Sequence, residues 1–202
     1  MIHSQPGISF VDQPFDLWRY NPYRPHFSDI HQLSRFISLD IAGEELLFDY
    51  FSKILSGQIH LHTQWNLFDP NFCSYVEKLV IKILNAKNLM DWFNDKFDVD
   101  IIYLVRHPIP VTLSIMKQNW GCTAEAFLQN EVFCKMFLDE TKIDKAKKIF
   151  KKGSLFQRCI LEWCLENSFP LSLLAKRNWL TISYEEMILC PGEITSLLCR
   201  RL

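Results

Sequence analysis

The run Asp100-Ile-Ile-Tyr-Leu-Val105 narrows the choice of fold more than any other feature of the chain. A continuous apolar stretch of this length, without alternation, predicts a strand buried on both faces, the signature of a parallel sheet covered by helices. The run ends at Arg106-His107-Pro108, where a charge and a proline stop the ladder. Upstream, Lys78-Leu-Val-Ile-Lys82-Ile has the same look. Between the two, Asn85–Phe97 carries Leu89, Met90, Trp92, Phe93 and Phe97 at helical spacing. Residues 78–105 therefore read as strand, helix and strand, a βαβ unit whose two strands run parallel.

A second such unit closes the chain, with a helix over Ser154–Phe169, a strand over Trp179–Ser183 and a helix over Pro191–Arg201. Elsewhere the spacing predicts a short strand at Ile8–Val11 and one or two helices over Ile30–Leu55, ended by Gly57. It further predicts a strand at Gln58–His62, a short helix at Phe72–Lys78, and helices over Val111–Gln118 and Glu125–Leu138. The last of these presents Phe127, Phe133 and Phe137 on one face. The fold class is α/β with a parallel sheet.

Composition fixes what kind of partner such a fold can take. At 202 residues, 49% hydrophobic with 16 Phe, the chain is sized for a single domain with a large core, and a disordered linker is excluded. A net charge of -1 excludes binding to nucleic acid or an anionic membrane by bulk charge, so a phosphate-bearing partner needs a local site. The seven cysteines are odd in number and scattered, with no CxxC pair and no Cys/His cluster at zinc-like spacing. Reduced thiols and no metal site are the expectation. No run of 18 apolar residues occurs, and MIHSQPGISF lacks the basic and apolar regions of a signal peptide. A cytoplasmic protein is expected.

Ligands of parallel α/β sheets lie at the carboxyl ends of the strands. Arg106 falls there, and a helix over Val111–Gln118 puts Ser114 about one turn in, so a guanidinium fork and a hydroxyl can face one space near a helix start. Such a set suits a phosphate dianion. The alternative is an Arg paired with an acid and a Ser bonded back to its own helix.

The segment IIYLVRHPIPVTLSIMKQNW, Ile101–Trp120, resembles the 3′-phosphate-binding segment of sulfotransferases that use 3′-phosphoadenosine 5′-phosphosulfate (PAPS). Those enzymes have an apolar strand, an Arg, a Pro two residues on and a Ser eight after the Arg. Arg106, Pro108 and Ser114 keep that spacing. The resemblance implies that Arg106 and Ser114 hold the 3′-phosphate of the nucleotide. Leu180-Thr-Ile-Ser-Tyr184-Glu-Glu-Met, with Pro191 and a helix after it, resembles the family's Tyr-Glu-Asp-Leu strand end. It implies Tyr184 near the adenine or the 3′-phosphate, where a half-buried aromatic at a sheet end is the plainer reading. Lys78–Phe97 also resembles the family, which often places a Lys at the end of this strand. Lys82 is then the catalytic candidate, binding or polarising the transferred group, unless it snorkels or pairs with an acid.

The resemblance covers roughly residues 75–200 and implies a parallel-sheet, P-loop-NTPase-like sulfotransferase fold with PAPS as co-substrate and no metal. It extends to Gln13-Pro14-Phe15, where relatives often have an acid in place of Gln13. The family's opening strand and its Gly/Ser/Thr-rich loop, which cradles the 5′-phosphosulfate, are not seen, since every glycine here is isolated. The expectation is an N-terminally truncated domain. The Arg-Lys-Gly element near the family's C-terminus is also not seen; Arg200 and Arg201 are its substitutes or simple partners of a helix dipole. The catalytic base is unassigned: His60 and His62 share a face of a short strand candidate and His107 sits beside Arg106, but each reads first as a partly buried or surface histidine, and none is named as catalytic. Six lysines within Asp139–Lys152 make either a basic cover over an acceptor such as a small molecule or glycan, or a solvated helix face.

Three readings follow. One is a sulfotransferase transferring a sulfuryl group to a hydroxyl or amine acceptor. The second is a catalytically inactive nucleotide-binding remnant or interaction module. The third, a kinase-like P-loop protein, would show a Walker A Gly-Lys-Ser/Thr, which does not occur. Without the family's central first strand the sheet has an open edge, to be covered by Phe10, Phe15 and Trp18 or by a partner chain, and the isolated chain is expected to be poorly soluble.

Overall fold

Ile8–Asp12 forms strand β1 and Lys78–Lys82 strand β2, paired in parallel with Ile8 opposite Lys78 and Asp12 opposite Lys82. Between them helix α1, Ile41–Leu55, starts at Asp40, whose carboxylate accepts the Gly43 N–H at 2.7 Å. The computed structural model describes residues 7–15, 36–59, 76–84 and 86–201. These fall into two compact units, divided after Ala86, and each is described by itself.

In the first unit α1 buries Leu47, Tyr50, Phe51 and Ile54. Phe51 packs on Phe15 with ring centroids 5.3 Å apart, and the Tyr50 hydroxyl donates to the Pro14 carbonyl at 3.1 Å. Phe15 is thus a core residue of this unit. The Gln13 N–H extends the ladder by donating to the Lys82 carbonyl at 2.7 Å. Gly57, at φ 72, ends α1 where sequence predicts. The expected strand at 58–62 and helix at 72–78 lie mostly outside the described residues, as does Trp18; the part of the latter that is described, 76–78, is not helical.

The second unit opens with a 3-10 turn at Lys87–Leu89 and helix α2, Met90–Lys96. Strand β3, Ile102–Val105, then leads into helix α3, Pro108–Gln118. Helices α4, Ala124–Gln129, α5, Glu131–Phe137, and α6, Glu140–Lys152, precede the long α7, Leu155–Leu173. Strand β4, Leu180–Ser183, pairs in parallel with β3, and helices α8, Tyr184–Leu189, and α9, Pro191–Arg201, complete the unit.

The parallel strands are present, as one two-stranded pair within each unit. β2 pairs with β1 in the first unit and β3 with β4 in the second. The apolar runs do form strands, but not the doubly buried ones expected: β3 buries Tyr103 and leaves Leu104 50% exposed, and no residue of β2 is fully buried. The 125–138 helix is also divided, because Asn130 ends α4 at φ -82, ψ 105 and caps α5 by accepting the Phe133 N–H at 2.9 Å. α3 begins three residues earlier than the prolines suggested. The first N–H groups of a helix have no internal partner, so Pro108 and Pro110 are tolerated there.

α7 organises the unit, with α3, α4 and α6 packed along it. Its start is a capping box in which Ser154 and Gln157 bond reciprocally. A chain of rings runs from Phe127 to Phe133, Phe137 and Phe169 at centroid distances of 5.0, 5.2 and 5.4 Å. The six lysines of α6 are all exposed, while Ala146 faces inward. At the α6–α7 corner a Cβ on Gly153 would come within 2.5 Å of the Ile149 carbonyl oxygen, so the corner requires glycine.

Candidate functional site

Parallel pairing of β3 and β4 sets Val105 opposite Ser183, so the residues that follow, Arg106 and Tyr184, leave the sheet side by side at its carboxyl edge. The Arg106 guanidinium lies over the Tyr184 ring, 4.6 Å from its centroid. A cation above an aromatic face is held by the ring quadrupole and presents its remaining N–H groups edgewise. The Arg106 Nε is buried and has no hydrogen-bond partner among the described residues. Below, the Arg106 carbonyl accepts the Trp163 indole N–H at 3.0 Å, which fixes the backbone at this point to α7.

Two helices begin at this edge. His107 caps α3 through Nδ1, which accepts the Ile109 N–H at 3.3 Å and makes this histidine a structural cap. Ser183 caps α8, and the Glu186 carboxylate returns to the Ser183 N–H at 2.9 Å and hydroxyl at 2.8 Å. Those bonds hold the Glu186 carboxyl below its ordinary value. Glu185 reaches across to accept the His107 N–H at 3.2 Å. The start of α3 therefore carries a carboxylate already, in the position an incoming anion would favour. Arg106 offers the positive charge, and Glu185 is the group a phosphate would compete with.

The structure brings Arg106 and Tyr184 together as two neighbours of one sheet edge. Ser114 differs from expectation: with α3 starting at Pro108 it lies nearly two turns in, exposed, and bonds to neither of them among the described residues. Lys82 belongs to the first unit, where its ammonium pairs with the Asp12 carboxylate at 2.9 Å. Arg201 donates to the Asn178 carbonyl at 2.9 Å. His60 and His62 lie outside the described residues.

Sequence reasoning missed a second cluster. The sulfurs of Cys122 and Cys159 and a carboxylate oxygen of Glu162 all lie within 4.8 Å of one another. Glu162 is 1% exposed, its two oxygens accepting the Thr123 N–H at 2.8 Å and the Thr123 hydroxyl at 2.6 Å. Burial, reinforced by the Glu162 charge, pushes the Cys122 thiol up to about 12 against the pull of the Ala124 N–H. The only trace in the sequence is Cys159-x-x-Glu162, one helical turn apart on α7. Another buried network joins the Tyr103 hydroxyl to Asn167 Oδ1 at 2.6 Å, with the Lys87 ammonium 3.2 Å from the same oxygen and 3.3 Å from Glu166.

No protein-family model, curated protein or solved structure matches the chain. None of the helices among the described residues is long and apolar enough to cross a membrane. What these residues define is an α/β protein with small parallel sheets and a cation–aromatic pair at the carboxyl edge of one of them.

Proposed function

We propose that the second unit binds the 3′-phosphate end of a 3′-phosphoadenosine nucleotide, and that the chain belongs to a PAPS-dependent sulfotransferase of P-loop-NTPase-like fold. The observation that carries the reading is the Arg106–Tyr184 pair at the ends of two adjacent parallel strands. The guanidinium takes the phosphate, the Tyr184 ring lies beside the adenosine, and the Ser114 hydroxyl is the weaker third contact. In the proposed reaction an acceptor hydroxyl or amine attacks the sulfur in line. The bond from sulfur to the bridging oxygen breaks, adenosine 3′,5′-bisphosphate leaves with the electron pair, and the acceptor proton passes to a base.

A second reading, a nucleotide-binding remnant or interaction module without transfer, is favoured by the Lys82–Asp12 ion pair, which occupies the cation the resemblance assigns to the transferred group. Thermal-shift titration of the full chain with adenosine 3′,5′-bisphosphate, beside 5′-AMP and the Arg106→Ala variant, tests the shared claim. Stabilisation by the bisphosphate alone, lost in the variant, supports the site; equal responses to both nucleotides, or none, overturn it. Transfer from PAPS to a panel of hydroxyl and amine acceptors then separates enzyme from remnant.

A further inference from the structure

We propose that Cys122, Cys159 and Glu162 form a binding site for a thiophilic divalent cation, with zinc the best match to the donor set. Two sulfurs and one carboxylate oxygen suit a borderline-soft ion, whereas magnesium and calcium require oxygen donors throughout. Three protein ligands leave one tetrahedral position for water or a further ligand.

The three donors come from two segments that the fold brings together. Cys122 follows Gly121, at φ 78, in the connection between α3 and α4, and Cys159 and Glu162 share a face of α7. Zinc–sulfur bonds of about 2.3 Å set tetrahedral ligand separations at about 3.8 Å. The present separations, all within 4.8 Å, need to close by about 1 Å at most, a side-chain adjustment rather than a backbone one.

The carboxylate is also prepared for the role. Both Glu162 oxygens are oriented by Thr123, through its N–H and its hydroxyl. Outer hydrogen bonds of this kind aim a ligating carboxylate at its ion. Cys159 is fully buried and Glu162 nearly so, and Cys122 is half-buried, which gives the ion a route in from one side. On binding, each thiol yields its proton to the buffer and the sulfurs coordinate as thiolates. The ion would clamp the α3–α4 connection to the helix on which α3, α4 and α6 pack.

The test is titration of the reduced, chelator-treated full chain with cobalt(II), read by the thiolate-to-cobalt charge-transfer band and the visible bands of tetrahedral cobalt. The expected result is saturation at one ion per chain, displacement by zinc, and a higher melting temperature with zinc. Cys159→Ala and Cys122→Ser abolish the charge-transfer band, Thr123→Ala weakens binding roughly tenfold, and Cys190→Ser, an exposed thiol, leaves it unchanged. Where a variant fails to fold, the wild-type titration still excludes the site if it shows no thiolate band, and the remaining single-cysteine variant assigns a band that does appear. Absence of a thiolate band in the wild type, or a band of full intensity in folded Cys122→Ser and Cys159→Ala, overturns the site.

Discussion

The Lys82 ammonium and the Asp12 carboxylate, 2.9 Å apart, belong to opposed residues of the β1–β2 ladder, so strand register itself presents each to the other. Both side chains are partly exposed, at 46% and 27%, which limits what the pair contributes. A double-mutant cycle with Lys82→Ala and Asp12→Ala, followed by urea unfolding, gives a coupling energy below about 1 kcal/mol that shrinks as salt is added. A larger, salt-insensitive value would contradict that assignment.

Glu185 stands where an incoming phosphate would compete for the start of α3. Glu185→Gln therefore raises affinity for adenosine 3′,5′-bisphosphate by roughly fivefold, the equivalent of about 1 kcal/mol. Calorimetric titration of the variant against the parent measures it. Unchanged or weaker binding would place the phosphate elsewhere.

Tyr103 gives the fold a sensitivity to alkali. Burial and the nearby Glu166 charge both oppose the phenolate, so the folded-state pKa lies above the ordinary tyrosine value near 10. The stability from keeping this hydroxyl neutral is whole below about pH 10 and is lost as pH rises through the raised value. Tyr103→Phe removes the hydrogen bond to Asn167, costs about 1 kcal/mol near neutrality, and makes the alkaline decline shallower. Unfolding midpoints of parent and variant across the alkaline range check the sign; parallel curves would refute it.

Gly153→Ala destabilises the second unit by about 1–3 kcal/mol, because its new Cβ meets a backbone oxygen that cannot move without shifting the end of α6. The lowered melting temperature of the variant is the readout. An unchanged melting temperature would mean the corner relaxes freely.

The sequence showed the strands more readily than their arrangement. β2 and β3 were legible because unbroken apolar runs flanked by charges have few other uses, whereas pairing joins residues far apart along the chain. Arg106 and Tyr184 were legible together because each follows a strand directly, and parallel register aligns such positions. Ser114 was misplaced by the usual caution over proline, since Pro108 and Pro110 sit where a helix start needs no N–H. The break at Asn130 follows from a capping side chain that helical periodicity ignores. Cys122 could not be joined to Cys159 and Glu162 by spacing, because the contact depends on how the α3–α4 connection lies against α7.

The hydrogen bond from the Trp163 indole to the Arg106 carbonyl gives the candidate site an optical signal of its own. Indole emission responds to the strength of such a bond, so a ligand that shifts the Arg106 main chain at the end of β3 changes the Trp163 signal. Although the chain has six tryptophans, the difference between parent and Trp163→Phe spectra isolates this one. Occupancy at the sheet edge can then be followed in real time, with no label and no knowledge of the acceptor.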